Sequence, residues 1–144
     1  MNINELQSKN LNQLVQIGGD LEVDGAREMR KDDLVERILQ RQIERSGQTY
    51  ATGILDIVDD GYGFMRRRGV MPSPDDVYVS SSQVRRSGLR PGDRVSGVVR
   101  APKDGEKYWG LVRVESVNGV DPEAAKRRPF FDARRPSLPQ DKEL

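Results

Sequence analysis

The stretch "ATGILDIVDDGYGFMRRRG", residues 51–69, decides the fold. β-Branched and apolar residues fill its first half, Asp59-Asp60-Gly61 supplies a turn, and "YGFMRR" reads as a second strand. Tyr62, Phe64 and Arg66 are spaced by two, so an extended chain puts all three on one face. If that face is the core, Arg66 is misplaced. If it is open, two aromatics are exposed with no gain to folding, which points to a ligand. Gly61 and Gly63 would then leave the surface bare beside each ring, so that a nucleic-acid base can lie flat on it. The competing reading is a hairpin with core aromatics whose glycines serve the turn. The stretch alone leaves both open.

Short strands continue downstream. "RGVMPSPDD" is a loop with two prolines, "DVYVS" a third strand and "SSSQVRRSGL" a helical turn. Pro91-Gly92-Asp93 turns into "RVSGVVRA", "PKDGEK" turns again, and "YWGLVRVESV" is a fifth strand. Five strands with a helical segment between the third and fourth is the order of an OB-fold barrel. A meander or an SH3-like barrel has similar spacing. Upstream, residues 1–48 read as a small helical bundle. Asn2 or Asn4 caps a first helix through Leu6. Leu11, Leu14, Val15 and Ile17 form a second stripe ended by Gly18-Gly19. Leu34, Val35, Ile38, Leu39 and Ile43 line one face of a third helix that stops at Ser46-Gly47. Such a bundle is marginal alone and is expected to dock on the barrel. The chain thus divides into a helical subdomain (1–48), an OB fold (49–119) and a linker or tail (120–144), with helical turns expected near Glu123–Arg128 and Phe130-Phe131 available for packing. The fold class is α+β, with two small cores.

Composition excludes more than it assigns. The 144 residues carry a net charge of +1 and neither cysteine nor histidine. Disulfides, thiolate nucleophiles, zinc fingers and histidine acid–base catalysis are therefore absent. The polar start "MNINELQSKN" is no signal peptide, and no apolar run reaches the ~20 residues of a membrane span; the expectation is a cytoplasmic protein without membrane contact. Charge is unevenly distributed. Residues 1–49 hold 7 Lys and Arg against 9 Asp and Glu, whereas residues 62–113 hold 11 against 5. The basic segment is the one that carries the aromatics.

Two further strands repeat the pairing of an aromatic with a polar group. "PDDVYVS" places Asp76 and Tyr78 two apart, and "GEKYW" does the same for Glu106 and Tyr108. An aromatic pocket with a carboxylate and a guanidinium suits a pyrimidine, since a carboxylate accepts from the cytosine N4 amine. The competing assignment has Tyr78 and Tyr108 plugging the barrel ends and Asp76 capping a turn. Arg85-Arg86, and Arg100 with Lys103, can follow a phosphate backbone, though charge runs are more often solvated faces. Catalysis has little support. There is no G-x-x-x-x-G-K-[ST] loop and no Gly-Lys dipeptide, and Asp59-Asp60 and Asp75-Asp76 fit turns better than metal ligation.

Together "MRKDDLVERIL", "GILDIVDDGYGFMR", "PDDVYVSSSQVRRSGLRPGDRVSGVVRAPKDGEKYWGLVRVESVNG" and "DPEAAKRRPFF" resemble the N-terminal RNA-binding region of the Rho family of bacterial transcription termination factors, over nearly the whole chain. The resemblance implies an OB fold that loads a hexameric, ATP-driven translocase onto C-rich single-stranded RNA. It implies stacking or pyrimidine reading by Tyr62, Phe64, Arg66, Asp76 and Tyr78, a pocket wall of Glu106 and Tyr108, and a backbone path along Arg100 and Lys103. Tyr62 stands where Phe is usual. Trp109 replaces a common Phe and is expected in the core, facing away from Tyr108. The family's ATPase domain, with its ATP and Mg²⁺, would lie beyond Leu144. The chain itself is therefore expected to be a monomer with no cofactor and no enzymatic activity, against a homohexamer for full-length members. Single-stranded DNA remains open as a partner, because the pocket makes no demand for a 2′-hydroxyl. The rival readings are a cold-shock-like module without base preference and a protein-interaction OB fold.

Overall fold

Helix α3, Lys31–Arg45, organises the N-terminal third of the computed structural model, which describes residues 1–69 and 71–127. It buries Leu34, Val35, Ile38, Leu39 and Ile43, the five positions picked out by their period. It ends at Ser46, with Gly47 at φ 88° in the left-handed region that favours glycine after a helix. Helices α1, Ile3–Gln7, and α2, Leu11–Asp20, both start in capping boxes, Asn2 with Glu5 and Asn10 with Gln13. Each box satisfies two backbone amides that the helix cannot.

Helix α2 runs through Gly18 and Gly19 instead of stopping at them. A glycine inside a helix costs only about 1 kcal/mol. Gly18 gains close packing in return: a Cβ there would lie 3.3 Å from both Ala26 and Leu34. The expected α2 stripe is also corrected at Leu11, which is 47% exposed while Leu14 is fully buried. Residues 21–25 lead into a 3-10 turn, Ala26–Glu28, which adds Val23 and Ala26 to the same core.

The C-terminal part is β1 (Thr49–Ile57), β2 (Gly63–Arg66), β3 (Val77–Val79), α4 (Ser81–Arg86), β4 (Arg94–Arg100), β5 (Trp109–Val117) and α5 (Pro122–Lys126). The strands close into a barrel in the order β1-β2-β3-β5-β4, and β4 returns to β1. All pairs are antiparallel except β3 with β5. That parallel pair excludes a simple meander and gives the OB fold. Leu55, Met65, Val77, Val79, Val95, Val99, Leu111 and Val117 fill the interior.

The two cores meet on β4. Val95 and Val99 point into the barrel, whereas Val98 joins the helical core. This strand is buried on both faces because the helical bundle covers its outer one. A polar seam fastens the contact. Glu36 Oε2 on α3 accepts from Arg94 Nη1 at 2.9 Å and from Tyr50 Oη at 3.3 Å, and Gln7 Nε2 donates to the Gly119 carbonyl at 2.8 Å. Burial, with Glu36 beside it, pushes the Tyr50 phenol above its ordinary pKa. Beyond β5, Asp121 caps α5 and Ala125 packs into the barrel core. Phe130 and Phe131 lie outside the described residues. Among those described, no helix is long and apolar enough to cross a membrane.

Candidate nucleic-acid interface

One cross-strand rung builds the site. Asp56 of β1 pairs with Phe64 of β2, Phe64 with Tyr78 of β3, Tyr78 with Gly110 of β5, and Gly110 with Arg100 of β4. Partners on a rung share a sheet face, so a strip of side chains crosses the barrel's outer surface. Met65, Val77 and Val79, one residue to either side of Phe64 and Tyr78, are buried inside. Four aromatic rings gather here. Phe64 lies 6.1 Å from Tyr78 and 5.0 Å from Tyr108, and Tyr62 lies 5.9 Å from Phe64 and 5.5 Å from Tyr78. Three of the four contacts are edge-to-face and the Tyr62–Tyr78 contact is tilted, so the rings do not stack flat on one another. Tyr78 and Tyr108 remain 40% and 37% exposed. Tyr62 and Phe64 are half-buried and belong to neither hydrophobic core, so the reading that made the hairpin aromatics core is excluded.

The hairpin turn brings Tyr62 to this face. Gly61 has φ 93°, its amide donates to the Val58 carbonyl at 2.9 Å, and Val58 N donates to Tyr62 O at 2.9 Å. Gly63 serves a different purpose from the one expected. It is buried, and a Cβ there would fall 2.7 Å from the Asp56 carbonyl oxygen. It permits close packing of the two strands rather than clearing space beside a ring. Trp109 is also corrected. Tyr108 precedes β5, so strand alternation does not relate the two, and Trp109 is 37% exposed.

Arg66 sits in a carboxylate clamp. Nη1 donates to Asp76 Oδ2 at 2.6 Å, while Nη2 and Nε donate to Asp56 Oδ2 at 2.8 and 3.3 Å. The guanidinium carbon lies 5.1 Å from the centre of the Phe64 ring. The Asp56 hydrogen bond, followed by Asp76, holds Arg66 above its ordinary pKa despite partial burial. Asp76 does not stand on the open face. It is fully buried, and its carboxylate also accepts from the Ser73 and Arg67 amides at 3.0 and 3.3 Å. Burial alone would raise its pKa, but Arg66 and the two amides hold it below the carboxylate range. Asp76 thus braces Arg66 and the loop before β3: two hydrogen bonds fill Oδ2 and one amide occupies Oδ1.

On the far side of Tyr78 lies a pocket of about 360 Å³, lined by Tyr78, Arg100, Glu106, Lys107, Tyr108 and Gly110. A Cβ on Gly110 would lie 3.5 Å from the Arg100 guanidinium, so the absent side chain leaves the pocket floor open. Arg100 grips Glu106 through Nη1 at 2.8 Å and Nη2 at 3.2 Å, and the Lys103 amide donates to Glu106 at 2.8 Å. Arg100 and the Lys103 amide hold the Glu106 carboxyl at about 2, and Arg100 is raised in turn. Arg100, Lys103 and Glu106 therefore form one braced turn, which leads into Tyr108. Arg85 and Arg86 are exposed on the last turn of α4. Two contributors escaped sequence reading, Asp56 and Gly110. Counting back from the Val58–Tyr62 turn pairs position 56 with 64, which is the signal that would have found Asp56. Among the described residues, no group of three or more potential ligands is placed to hold a metal ion.

Residues 51–123, which include the whole rung, match the family model described as "Rho termination factor, RNA-binding domain", and residues 5–47 match "Rho termination factor, N-terminal domain". The chain belongs to the Rho termination factor family. Transcription termination factor Rho of Aquifex aeolicus is 43% identical over 142 residues, covering 96% of this chain and 33% of that protein. The Rho factor of Thermotoga maritima is 40% identical over 144 residues, covering 99% and 34%, and that of Escherichia coli K12 is 37% identical over 138 residues, covering 94% and 33%. The chain spans about a third of the length of these Rho relatives, and the matched part is their N-terminal region.

Proposed function

We propose that the barrel binds single-stranded, cytosine-rich RNA and acts as the loading module of a Rho-type termination factor. One observation carries this reading: four aromatic rings meet on a single barrel face, between a clamped Arg66 and an open pocket of about 360 Å³. Ring faces left open to solvent suit stacking with bases, worth about 1–3 kcal/mol per base. In this reading Tyr62, Phe64, Tyr78 and Tyr108 stack, and Arg66 reads a base edge together with Asp76, which also holds the guanidinium in place. The braced turn of Arg100, Lys103 and Glu106 borders the strand's path. Family membership supports RNA as the ligand, while the preference for cytosine, single-stranded DNA as a second ligand, and assembly of full-length members into ATP-driven hexamers belong to the proposal.

Competition binding with oligo-C, oligo-U and oligo-A tests it. Oligo-C should bind most tightly, and Phe64→Ala should weaken all three. Equal affinities would leave a cold-shock-like module without base preference. Absence of binding at low salt would favour a protein ligand instead. An NMR titration with a short oligo-C should shift Phe64, Tyr78 and Tyr108; shifts confined to α1–α3 would refute the pocket.

A further inference from the structure

We infer that the cavity between the helical bundle and the barrel is a binding site for a small organic cation carrying an ammonium or guanidinium group. The cavity holds about 310 Å³ and lies where α1, the first turns of α3, the start of β4 and the end of β5 meet. This is the small end of the range for ligand pockets, which favour such junctions. It shares no lining residue with the pocket beside Tyr78. Three carboxylates, Asp32, Asp33 and Glu36, line it against one cation, Arg94. Arg94 Nη1 is already given to Glu36 Oε2 at 2.9 Å. Tyr50 and Ser96 also donate to Oε2, and Glu36 Oε1 accepts nothing among the described residues. Asp33 meets Arg30 at 3.8 Å through side chains that are both exposed, and such a pair gives way to a ligand at little cost.

The start of α3 accounts for Asp32 and Asp33, since acidic side chains complement the positive end of a helix. It does not account for Ser116. This residue is 2% exposed yet lines the cavity, and its hydroxyl makes no hydrogen bond among the described residues. Register fixes where it points. Val117 fills the barrel, so Ser116 faces out of it beside its rung partner Ser96, whose hydroxyl lies 3.5 Å from Glu36 Oε2. A buried hydroxyl without a partner is costly unless something in the cavity meets it. Ser116 Oγ and Glu36 Oε1 are thus open acceptors at the deep end, with Asp32 and Asp33 exposed at the mouth. This set repels an anion. A bare metal ion fits poorly too, because among the described residues no three acidic groups converge to hold one. An ammonium with three N–H donors, or a guanidinium with five, can reach acceptors spread in this way. Such a ligand would touch both subdomains and favour their docked arrangement.

The test is an NMR titration of the protein, without RNA and at constant ionic strength, with agmatine, which carries an ammonium and a guanidinium on one alkyl chain. It is repeated with a capped Gly-Arg-Gly peptide. Saturable shifts are expected at the Val35, Ser116 and Gly119 amides, with a thermal midpoint that rises with ligand concentration. Saturation by agmatine identifies a free small cation, and saturation by the peptide alone identifies a basic side chain of a protein partner; both support the site. Ser116→Val fills the cavity and removes the hydroxyl, and Asp33→Asn removes a charge; each should weaken binding roughly tenfold. Asp33 is exposed, so its variant keeps the test decisive if Ser116→Val fails to fold. Asp24→Asn, at an exposed carboxylate outside the cavity, should leave affinity unchanged. The inference is overturned by the absence of saturable shifts, by shifts that sodium chloride reproduces, by parent affinity in both cavity variants, or by equal weakening in Asp24→Asn.

Discussion

Arg66 and its two carboxylates belong both to the fold and to the candidate site. The Asp76–Arg66 contact is buried, and removing one partner of such a pair strands the other without its charge. Asp76→Ala should therefore lower unfolding free energy by about 3 kcal/mol in urea titrations. A carboxylate that merely read bases from the surface would leave stability unchanged. Because the folded-state pKa of Asp76 is depressed, its contribution is fully present above the ordinary carboxylate pKa. It is lost as pH falls through the lower folded value. Glu106 offers a sharper reading of the same physics on an exposed turn. Its carboxyl carbon, followed by NMR, should titrate at about 2 in the parent protein and return toward the ordinary glutamate value in Arg100→Ala.

At the scale of elements, two glycines with similar sequence surroundings behave oppositely. Gly63→Ala forces a Cβ to within 2.7 Å of a backbone oxygen and should destabilise the barrel by about 2 kcal/mol or more. Gly110→Leu meets only ordinary contacts at its Cβ, so thermal melting should change little while RNA affinity drops as the pocket fills. Neither outcome is legible in the sequence, because both depend on which strand lies alongside. What is legible follows from local period. The apolar face of α3, the Asp59-Asp60-Gly61 turn and all five strands come from spacing alone. The helix through Gly18-Gly19 does not, because a contact with Ala26 and Leu34 outweighs propensity. The grouping of Tyr62, Phe64 and Tyr78 was visible as pairs of residues two apart. The burial of Asp76 was hidden, since its partners are loop amides and an arginine ten residues back. Asp56 escaped notice because its importance lies in register.

Across the whole molecule, β4 lends one face to each core, so the helical bundle and the barrel should unfold as one. A single urea transition followed by both Trp109 fluorescence and helical circular dichroism is expected; two transitions would show the cores to be independent. Glu36→Ala should lower that midpoint, by about 1–3 kcal/mol in free energy, because Arg94 and Tyr50 lose their shared acceptor in the seam. The same circularity has a soft point. Strand β3 is three residues long and joins β5 through only two register partners, Val77 with Trp109 and Tyr78 with Gly110. The rings flank this joint, Tyr62 and Phe64 on one bank and Tyr108 on the other, with Tyr78 on the joint itself. A base lodged among them, as proposed, would act as a clasp on a hoop, so that occupancy of the surface and closure of the barrel reinforce each other.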